Sequence, residues 1–561
     1  MVTPVPRQTY DAIVIGTGAG GGMAIKTLCE AGLKVCALNS GRRLDPEKDF
    51  RNHRMPWELK YRGFGDPKLH SRSGADFVGD TEYVEGAWET GAGCTTAPGT
   101  KWITARCSAV GGRTNFWGRS ATRFGDIDFR AASLDGHDVD WPVTYEEMAP
   151  YYTRVEKMIG VASTVQSRSS NPDGVYLPPM NFRCFDHILQ KGAEKVGIPY
   201  LPDRIAQLTV AHEGHPPCHF CGDCTSGCEV GAFFSTPFFL LPSAEASGNL
   251  ELRTNAIARK ILVNENGQAA GVAYIDRTTR QEHEVYGRAV VVAASCIETA
   301  RIMLNSTSRH WPTGIANSSG QLGRNLCDHV YGISVAGYLP QLLGQPSFPD
   351  NVSDSSIAWM PRWQNLRDPH EEQFIRGYSL YPDGGCWEFP EYYDNIEGFG
   401  SSFKREMKRR YPTPVSIMTQ IPTLRSDKNY VDIDPVAKDS FGIPLPRIHF
   451  QWGDNEMKMW EHARKTSADL LHAAGGVFEY AAETPENPGY SQHETGTCRM
   501  GNDPRKFVTN RFGQTHDVAS LYVCDASVFL NCTDKPTTLS ILAFALRTSE
   551  YLMEQVRRAG S

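Results

Sequence analysis

The chain has 561 residues, of which 40% are hydrophobic and 22% charged, and its formal net charge is −7. This length exceeds what one hydrophobic core supports, so we expect a soluble globular enzyme of two or more domains. No block of basic residues is present, which argues against nucleic acid as a partner. The N-terminus lacks an apolar stretch typical of secretion signals, and no run approaches the ~20 apolar residues that span a bilayer, so we expect neither a signal peptide nor a transmembrane segment.

The first predicted elements form a β-α-β unit. Residues 10–16 predict a short buried strand, the following residues a helix that reaches Ala31, and residues 34–38 a second strand. Glycines between the first strand and the helix allow a backbone to approach a pyrophosphate at the helix N-terminus, at Gly16, Gly18 and Gly21. In this context the pattern predicts a dinucleotide site. The acidic residue expected after the second strand is replaced by Asn39, whose amide can still bond a ribose hydroxyl.

Four cysteines lie within eleven residues in a C-x2-C-x2-C-x3-C run, at Cys218, Cys221, Cys224 and Cys228. This is the ferredoxin ligand spacing without the proline that usually follows the last cysteine, and it favours an iron–sulfur cluster. Zinc is a weaker alternative because zinc sites usually separate two Cys-x2-Cys pairs, and disulfides are weaker because the other cysteines are scattered. The spacing leaves open whether the cluster is [3Fe-4S] or [4Fe-4S].

The next segment predicts successive strands over residues 250–254, 256–263, 270–276, 283–286 and 289–294. An amphipathic helix follows from residue 295. Residues 331–485 are richer in Pro, Trp and Tyr, as expected for a substrate-facing domain with long loops. Aromatic side chains that could stack on a sugar ring, with core packing as the more ordinary interpretation, are Trp57, Trp387, Tyr392 and Tyr393.

Five further motifs follow the first glycine motif in order, in residues 110–118, 294–304, 322–329, 493–501 and 521–527. In this order they resemble the glucose–methanol–choline (GMC) flavoprotein oxidoreductases over nearly the full length. The cysteine run narrows the resemblance to the large FAD and iron–sulfur subunits of bacterial sugar and polyol dehydrogenases, which act on glucose, fructose, gluconate or glucosides.

The resemblance implies an α/β architecture, the GMC fold, in which a doubly wound, Rossmann-like FAD domain is interrupted by an α+β substrate domain. The FAD domain would comprise residues 1–130, residues 205–330 with the cysteine loop 218–228, and residues 486–561 with the catalytic motif. The substrate domain would comprise residues 131–204 and 331–485.

The resemblance also implies where FAD binds. The first glycine motif would hold the pyrophosphate. The flavin and its phosphates would run along the second motif, and the ring would lie near the last, so that the implied residues are Gly111, Gly112, Thr114, Asn115, Asp525 and Ala526. In some relatives a histidine of the second motif is bonded to the flavin, but the aligned residue here is Phe116, so we expect non-covalent FAD.

The resemblance marks His493 as the catalytic histidine. Removing a proton from an alcohol suits a group that titrates near neutrality, as histidine does. Relatives place a second Asn or His just before a Pro-Thr pair, but the aligned residue here is Pro536, which has no side-chain donor. Lys535, Thr537 or Asn531 would have to replace it. Other motif residues are expected to be structural or flavin-proximal, namely Glu298, Asp328, His329 and Arg499.

The expected function is oxidation of a hydroxyl of a sugar, glycoside or polyol, for example at C3 of a glycoside. Hydride would pass to FAD, and electrons would leave through the cluster to a cytochrome c or a quinone-linked acceptor. Two alternatives are an oxidase that uses oxygen with a structural cysteine loop, and an electron-relay or assembly subunit with a decayed alcohol site. The resemblance further suggests a small partner subunit exported by the twin-arginine route, which would carry this chain to the periplasm; otherwise the chain is cytoplasmic.

Overall fold

The structure is a computed structural model that describes residues 9–50, 93–222, 224, 227–346, 356–366, 373–384 and 396–560, together with the strand Trp88–Glu89. The four aromatic residues predicted to stack on a sugar lie outside these ranges. Within them, no helix is long and apolar enough to cross a membrane.

The strands are numbered in chain order. They are β1 (Thr9–Ile15), β2 (Val35–Leu38), β3 (Trp88–Glu89), β4 (Thr95–Thr96), β5 (Arg106–Cys107), β6 (Leu201–Pro202), β7 (Leu250–Arg253), β8 (Ala256–Val263), β9 (Ala269–Asp276), β10 (Glu282–Val292), β11 (Arg324–Cys327), β12 (Val330–Tyr338), β13 (Ala358–Trp359), β14 (Ser379–Gly384), β15 (Pro414–Ile421), β16 (Tyr430–Lys438), β17 (Pro444–His449), β18 (Val477–Ala481), β19 (Thr495–Thr497) and β20 (Leu521–Val523).

The helices of four or more residues are α1 (Ala19–Glu30), α2 (Pro46–Asp49), α3 (Asp126–Phe129), α4 (Ala131–Asp135), α5 (Tyr145–Ile159), α6 (Cys184–Val196), α7 (Thr236–Phe239), α8 (Leu241–Ala246), α9 (Cys296–Asn305), α10 (Gly400–Arg410), α11 (Asp454–Ala473) and α12 (Thr538–Gly560). Short 3₁₀ turns lie at Gly112–Asn115, Pro340–Leu342 and Ala526–Val528.

A seven-stranded sheet forms the centre of the larger core. Its order is β7-β2-β1-β10-β9-β8, and β20 pairs with the end of β10. β7, β2, β1, β10 and β20 are parallel, whereas β8 and β9 are antiparallel additions. Helices α1 and α12 pack against each other beside this sheet. The predicted α/β fold class is therefore confirmed, although the exact domain limits stay a prediction.

One predicted break in the sheet is wrong. The sequence suggested separate strands over residues 283–286 and 289–294, but the structure has a single strand, β10. The first half of β10 pairs with β9 and its last three residues pair with β20, while β1 pairs with Tyr286–Val292 on the other side. An ideal Cβ at Gly287 would lie 3.0 Å from a side-chain carbon of Ile13, so glycine at this position permits close strand packing.

A second core surrounds a four-stranded antiparallel sheet, β14-β15-β12-β18. One face of this sheet is apolar and packs on α6 and α11, through residues that include Val335, Leu380, Ile417, Leu189 and Trp460. The opposite face carries most of the polar residues of the sheet, beside Ile333, Ala336 and Met418. A third sheet, with the order β19-β11-β16-β17-β4, joins the two cores. His329 lies just after the end of β11, and His493 lies just before the start of β19.

Candidate active site

The parallel strands bring the motifs to one edge. β1 ends at Ile15, β10 at Val292 and β20 at Val523, so Gly16, Ser295 and Asp525 all follow carboxyl ends of neighbouring strands. Ligands of doubly wound sheets bind outside these ends. The edge is therefore the expected cofactor site.

Gly16 and Gly18 have different roles in the first turn. Gly16 has φ +95°, a conformation that favours glycine, and an ideal Cβ there would lie 2.3 Å from the carbonyl oxygen of Ala293. Gly18 precedes helix α1 and an ideal Cβ there meets nothing within 4 Å. The space above Gly18 is thus open to a ligand that approaches the helix N-terminus.

Gly21 lies in helix α1 and faces the strand rather than the open side. Its ideal Cβ would be 2.0 Å from the carbonyl oxygen of Gly16, so its absence lets the helix pack closely. Gly20, which the sequence analysis did not select, is tighter still, with an ideal Cβ 1.6 Å from the carbonyl oxygen of Cys524. Both glycines serve helix packing.

The second glycine motif completes a cradle. Gly111 and Gly112 have φ +93° and +55°, and the ideal Cβ of Gly112 would have the Cα of Gly18 as its nearest neighbour, at 3.6 Å. Thr114 donates to the Gly111 carbonyl at 2.6 Å, and Asn115 donates to the carbonyls of Val110 and Gly112. Thr114 and Asn115 therefore shape the turn, while the two glycines leave a groove that suits a pyrophosphate.

Asn39 is used internally. Its amide nitrogen donates to the carbonyls of Gly41 and Ser108, at 3.1 Å and 2.8 Å, and its amide oxygen accepts from Thr17 at 2.7 Å. The Thr17 hydroxyl in turn accepts from the backbone of Gly111 at 3.0 Å. In this structure Asn39 connects the two glycine motifs, whereas the sequence analysis expected it to bond a ribose.

Asp525 and Ala526 lie between the central sheet and the catalytic motif. The Asp525 carboxylate accepts from the backbone of Ser527 at 2.9 Å and from the hydroxyl of Thr299 on α9. Burial raises the pKa of Asp525. Ala526 begins a 3₁₀ turn whose next carbonyl, that of Ser527, accepts from the backbone of Cys498 at 2.9 Å. This segment fixes the motif that carries His493.

Phe116 occupies the position where some relatives attach flavin covalently. It is 7% exposed and packs edge-on against Phe50, with ring centroids 6.1 Å apart. A phenyl ring offers no atom for a bond to flavin.

Asp328 holds the loop before His493. Its carboxylate accepts from the backbone N–H groups of Gly489 at 2.9 Å and His493 at 3.1 Å, and from the Ser491 hydroxyl. Burial first, and then the charge of Glu494, raise the pKa of Asp328 to about 7. The residue positions His493 without contacting its ring.

His493 and His329 are paired. Their Nδ1 atoms lie 3.1 Å apart, and the Nε2 of His329 lies 2.6 Å from the Thr533 carbonyl oxygen. Burial and then the charge of Arg113 lower the pKa of His493 to about 3, and burial and then His493 lower that of His329 well below its usual value. Both rings are therefore neutral near pH 7.

Arg113 and Glu494 form an ion pair at 2.8 Å, and Arg113 also donates to the Gln492 carbonyl at 2.7 Å. The pair joins the second glycine motif to the residues on either side of His493. The sequence analysis did not select these two residues. The sequence did contain a signal for this pair. The two residues have opposite charges, and they belong to two motifs that the resemblance places on the same cofactor.

The three candidates for the second catalytic position have contacts other than the histidine pair and the Arg113–Glu494 pair. Asn531 accepts a 3.4 Å bond from the Trp141 indole, which lies in an aromatic core. Lys535 is fully buried between Asp128 and Asp534, at 2.9 Å and 2.8 Å. Thr537 is buried, and its carbonyl accepts from Ile541 at the start of α12.

The four loop cysteines line one cavity, together with Gln207, His219 and Phe233 among others. None of the four is in a disulfide. N–H groups point at two of the sulfurs: Gln207 donates to Cys218 at 2.9 Å and the backbone of Ala232 to Cys228 at 3.3 Å. As they stand, no three or more His, Cys, Asp or Glu side chains in the described ranges are close enough together to hold an ion. The four thiols share this cavity in the spacing that predicts an iron–sulfur cluster.

Comparison with known proteins agrees with this geometry. GMC oxidoreductase family models match residues 84–331 and 425–545. The chain is 28% identical to 2-methyl-1,2-propanediol dehydrogenase of Mycolicibacterium austroafricanum, over 97% of this chain and 95% of that protein. It is 26% identical to the fructose dehydrogenase large subunit of Gluconobacter japonicus, over 98% of each. A formate oxidase of Aspergillus oryzae has the same fold, with a TM-score of 0.64 at 14% identity over 99% of this chain and 100% of that one.

The glycine cradle fits the FAD that this family binds, and His329 and His493 lie within the two segments that the family models cover. The chain belongs to the GMC oxidoreductase family, as an FAD-dependent oxidoreductase that acts on CH–OH groups.

Proposed function

We propose that this chain is a dehydrogenase of a sugar, glycoside or polyol hydroxyl, which passes electrons through an iron–sulfur cluster to a cytochrome or quinone-linked acceptor. The observation that carries the proposal is the set of four cysteine thiols that line one cavity in the ferredoxin spacing. A cluster passes single electrons, so it suits an enzyme that reduces another protein rather than oxygen.

The relatives support a substrate with several hydroxyls. One is named for a diol and another for fructose, and both names describe dehydrogenases. At 26–28% identity these names indicate a chemical class and not a particular sugar.

The polar face of the β14-β15-β12-β18 sheet supports the same class. Residues paired across these strands place their side chains on one face. This face carries the polar residues Tyr331, Ser379, Tyr381, Asp383, Ser416 and Gln420 beside the apolar residues Ile333, Ala336 and Met418. Ser379 and Gln420 bond Asp534 at 2.9 Å and 3.1 Å, in the loop whose Thr533 carbonyl faces His329. The buried Ser416 hydroxyl has no hydrogen-bond partner within the described ranges, and a ligand hydroxyl would supply one.

The step that the residues of this chain perform is removal of the proton from the substrate hydroxyl. FAD, when bound, accepts the hydride from the carbinol carbon. His493 is neutral, so it can accept the proton of the substrate hydroxyl. The Asp328 bonds fix the His493 backbone, and the Arg113–Glu494 pair fixes the loop against the flavin-binding motif.

Residues that would hold the cluster are Cys218, Cys221, Cys224 and Cys228. A cysteine ligand is a thiolate, and the N–H groups that point at Cys218 and Cys228 stabilise negative charge on sulfur. Burial raises the pKa of Cys228, while backbone N–H groups of Ala232, Val230 and Gly231 lower it.

The family of the large subunits suggests the rest of the assembly. We propose a small partner subunit exported by the twin-arginine route, a cytochrome c or quinone-linked acceptor, and a periplasmic location by co-export. FAD is proposed to bind non-covalently, because Phe116 stands at the attachment position.

The experiment measures turnover of purified protein on glucose, fructose, gluconate, glucosides, polyols and 1,2-propanediol, with either a redox dye or oxygen as acceptor. We expect dye reduction with a polyhydroxylated substrate and little turnover on oxygen. Cys224→Ser should lower dye turnover at least tenfold while substrate still bleaches the flavin. Cys184→Ser, an exposed cysteine outside the loop, is the matched control and should behave as the wild type. Efficient turnover on oxygen that Cys224→Ser leaves unchanged would instead identify an oxidase.

A further inference from the structure

The loop that contains Pro536 supplies a backbone oxygen rather than a side chain. Three residues earlier, the Thr533 carbonyl lies 2.6 Å from Nε2 of His329. His329 is 1% exposed and comes from another motif, between strands β11 and β12.

The hydrogen-bond partners assign the protons of both rings. A carbonyl oxygen only accepts, so Nε2 of His329 carries a hydrogen. Because this ring is neutral, its Nδ1 has a lone pair and accepts from Nδ1–H of His493, 3.1 Å away. His493 is neutral too, so its own Nε2 has a lone pair, and no described residue bonds that atom.

The hydrogen bonds that link Thr533, His329 and His493 also orient the imidazole ring of His493. The two imidazoles meet nearly edge to face, at an interplanar angle of 81° with centroids 5.0 Å apart. The His493 backbone is held separately by Asp328, at 3.1 Å. Backbone and Nδ1 are thus both fixed, and only Nε2 remains for a substrate.

We propose that His329 is the positioning residue of this site. It holds His493 in the Nδ1–H form with Nε2 available as the base. When the substrate O–H bond breaks, its proton forms an N–H bond at His493 Nε2 and the electron pair is left on the substrate oxygen. That pair would form the C=O bond of the product, and bound FAD would supply the hydride acceptor. The His329 lone pair stabilises the resulting imidazolium through Nδ1–H.

This inference rests on the proposed function, since it takes His493 as the base. The main test compares wild type, His329→Leu and His329→Asn by the rate at which substrate bleaches the flavin in anaerobic single turnovers. Leucine removes both hydrogen bonds of the ring. Asparagine keeps an acceptor near the position of Nδ1, so it should recover part of the rate.

We expect His329→Leu to lower the rate of flavin reduction by about 10²–10⁴, as the wrong tautomer of a base does, with little change in KM. The residual rate should rise with pH more steeply than in the wild type, because hydroxide can replace a misplaced base. A purely structural role would lower the rate equally at every pH. The matched control is His516→Leu, which removes another histidine whose Nε2 faces a carbonyl, that of Gly501 at 3.0 Å.

A second readout needs no turnover. Nitrogen-15 NMR of histidine-labelled protein, with the His493 signals identified by their loss in His493→Gln, should show Nδ1–H in the wild type. The His329→Leu variant should show a mixture of the two tautomers. The variants must also retain flavin and unfold at a temperature close to that of the wild type.

The outcomes separate the two claims. Flavin reduction that survives His329→Leu within threefold, or that falls with an unchanged pH profile and an unchanged His493 tautomer, would overturn the role of His329 alone. If no sugar, polyol or simple alcohol bleaches the wild-type flavin, the proposed function falls, and the role of His329 falls with it.

Discussion

At the scale of single residues, the site is governed by how charges around His493 are placed. Arg113 disfavours protonation of this ring, and Glu494 holds Arg113 in position. Asp328 holds the backbone of the same loop. The imidazole is therefore kept neutral while its surroundings carry both signs of charge.

The double variant Arg113→Met, Glu494→Gln tests this arrangement. Removing the guanidinium removes a charge that lowers the pKa of His493, and removing the carboxylate avoids leaving it buried and unpaired. The pKa of His493 should rise, so activity should fall at a higher pH than in the wild type as the solution is made acidic. The measurement is kcat/KM against pH from 4.5 to 9 (about half a pH unit per step). An acid limb at the same pH as in the wild type would contradict the assignment.

The variant Asp328→Asn should affect activity and stability differently. An amide cannot accept both backbone N–H bonds as well as the Ser491 hydroxyl, so the loop shifts, and we expect kcat to fall by about 10–100-fold. The folded pKa of Asp328, about 7, lies above the usual value of 3.8, so the folded state binds more protons than the unfolded state between these pH values. The contribution of the Asp328 carboxyl to the free energy of unfolding therefore falls as pH rises from about 4 to 7.

The amide does not titrate, so the stability of Asp328→Asn relative to the wild type should improve as pH rises. We expect a change of about 1–3 kcal/mol between pH 5 and pH 7.5 in the difference in unfolding free energy, measured in urea. An unchanged difference across that range would show that Asp328 is ionised throughout.

At this scale the sequence supports predictions where a role depends on a local motif. Gly16, Gly18 and His493 belong to short patterns whose geometry is set by neighbours in the chain. It did not identify the partner of His493, because His329 lies 164 residues away and comes beside it only in the folded chain. It also assigned Asn39 to a ribose, whereas the folded turns take up its amide groups.

At the scale of elements, two glycines at the start of helix α1 have different roles. Gly18 faces open space, and Gly20 faces the carbonyl of Cys524. The motif spacing predicted the turn and the helix. It could not predict Gly20, because the close approach depends on where strand β20 ends, more than 500 residues later in the chain.

These glycines give a paired prediction. Gly18 has φ −66°, which alanine also adopts, so Gly18→Ala should fold normally but retain FAD at least tenfold less tightly, because its methyl occupies the cradle. Gly20→Ala would place a methyl 1.6 Å from an oxygen and should lower stability by about 1–3 kcal/mol, with FAD loss only as a consequence. Flavin content and thermal unfolding of the FAD-free proteins distinguish the two. Equal stability of the two FAD-free variants would contradict the packing role of Gly20.

At the scale of the whole molecule, a buried ion cluster joins distant parts of the chain. Lys535 bonds Asp128 on α3 and Asp534 in its own loop, and Asp534 accepts from Ser379 on β14. The cluster therefore fixes the C-terminal loop between the segment of α3 and the polar sheet. Sequence reasoning considered Lys535 as a catalytic donor because burial cannot be read from its position beside Pro536.

Lys535→Met should destabilise the protein by about 3–5 kcal/mol, because two carboxylates are left buried without their cation. The double variant Lys535→Met, Asp128→Asn should recover part of this loss, since Asp534 still has the nearby charge of Arg362. Thermal unfolding of the three proteins is the measurement. Normal stability with a loss of activity alone would return Lys535 to the list of catalytic candidates.

The central claim is that the cysteine loop holds an iron–sulfur cluster that takes electrons from the flavin. The most direct measurement is iron and acid-labile sulfide analysis of anaerobically purified protein, with low-temperature EPR before and after adding the best substrate. We predict about three or four irons per chain and a cluster signal that changes when the substrate bleaches the flavin, both lost in Cys224→Ser. Protein without iron, whose flavin is bleached by substrate and reoxidised by air, would contradict the claim and leave the loop a structural element of an oxidase.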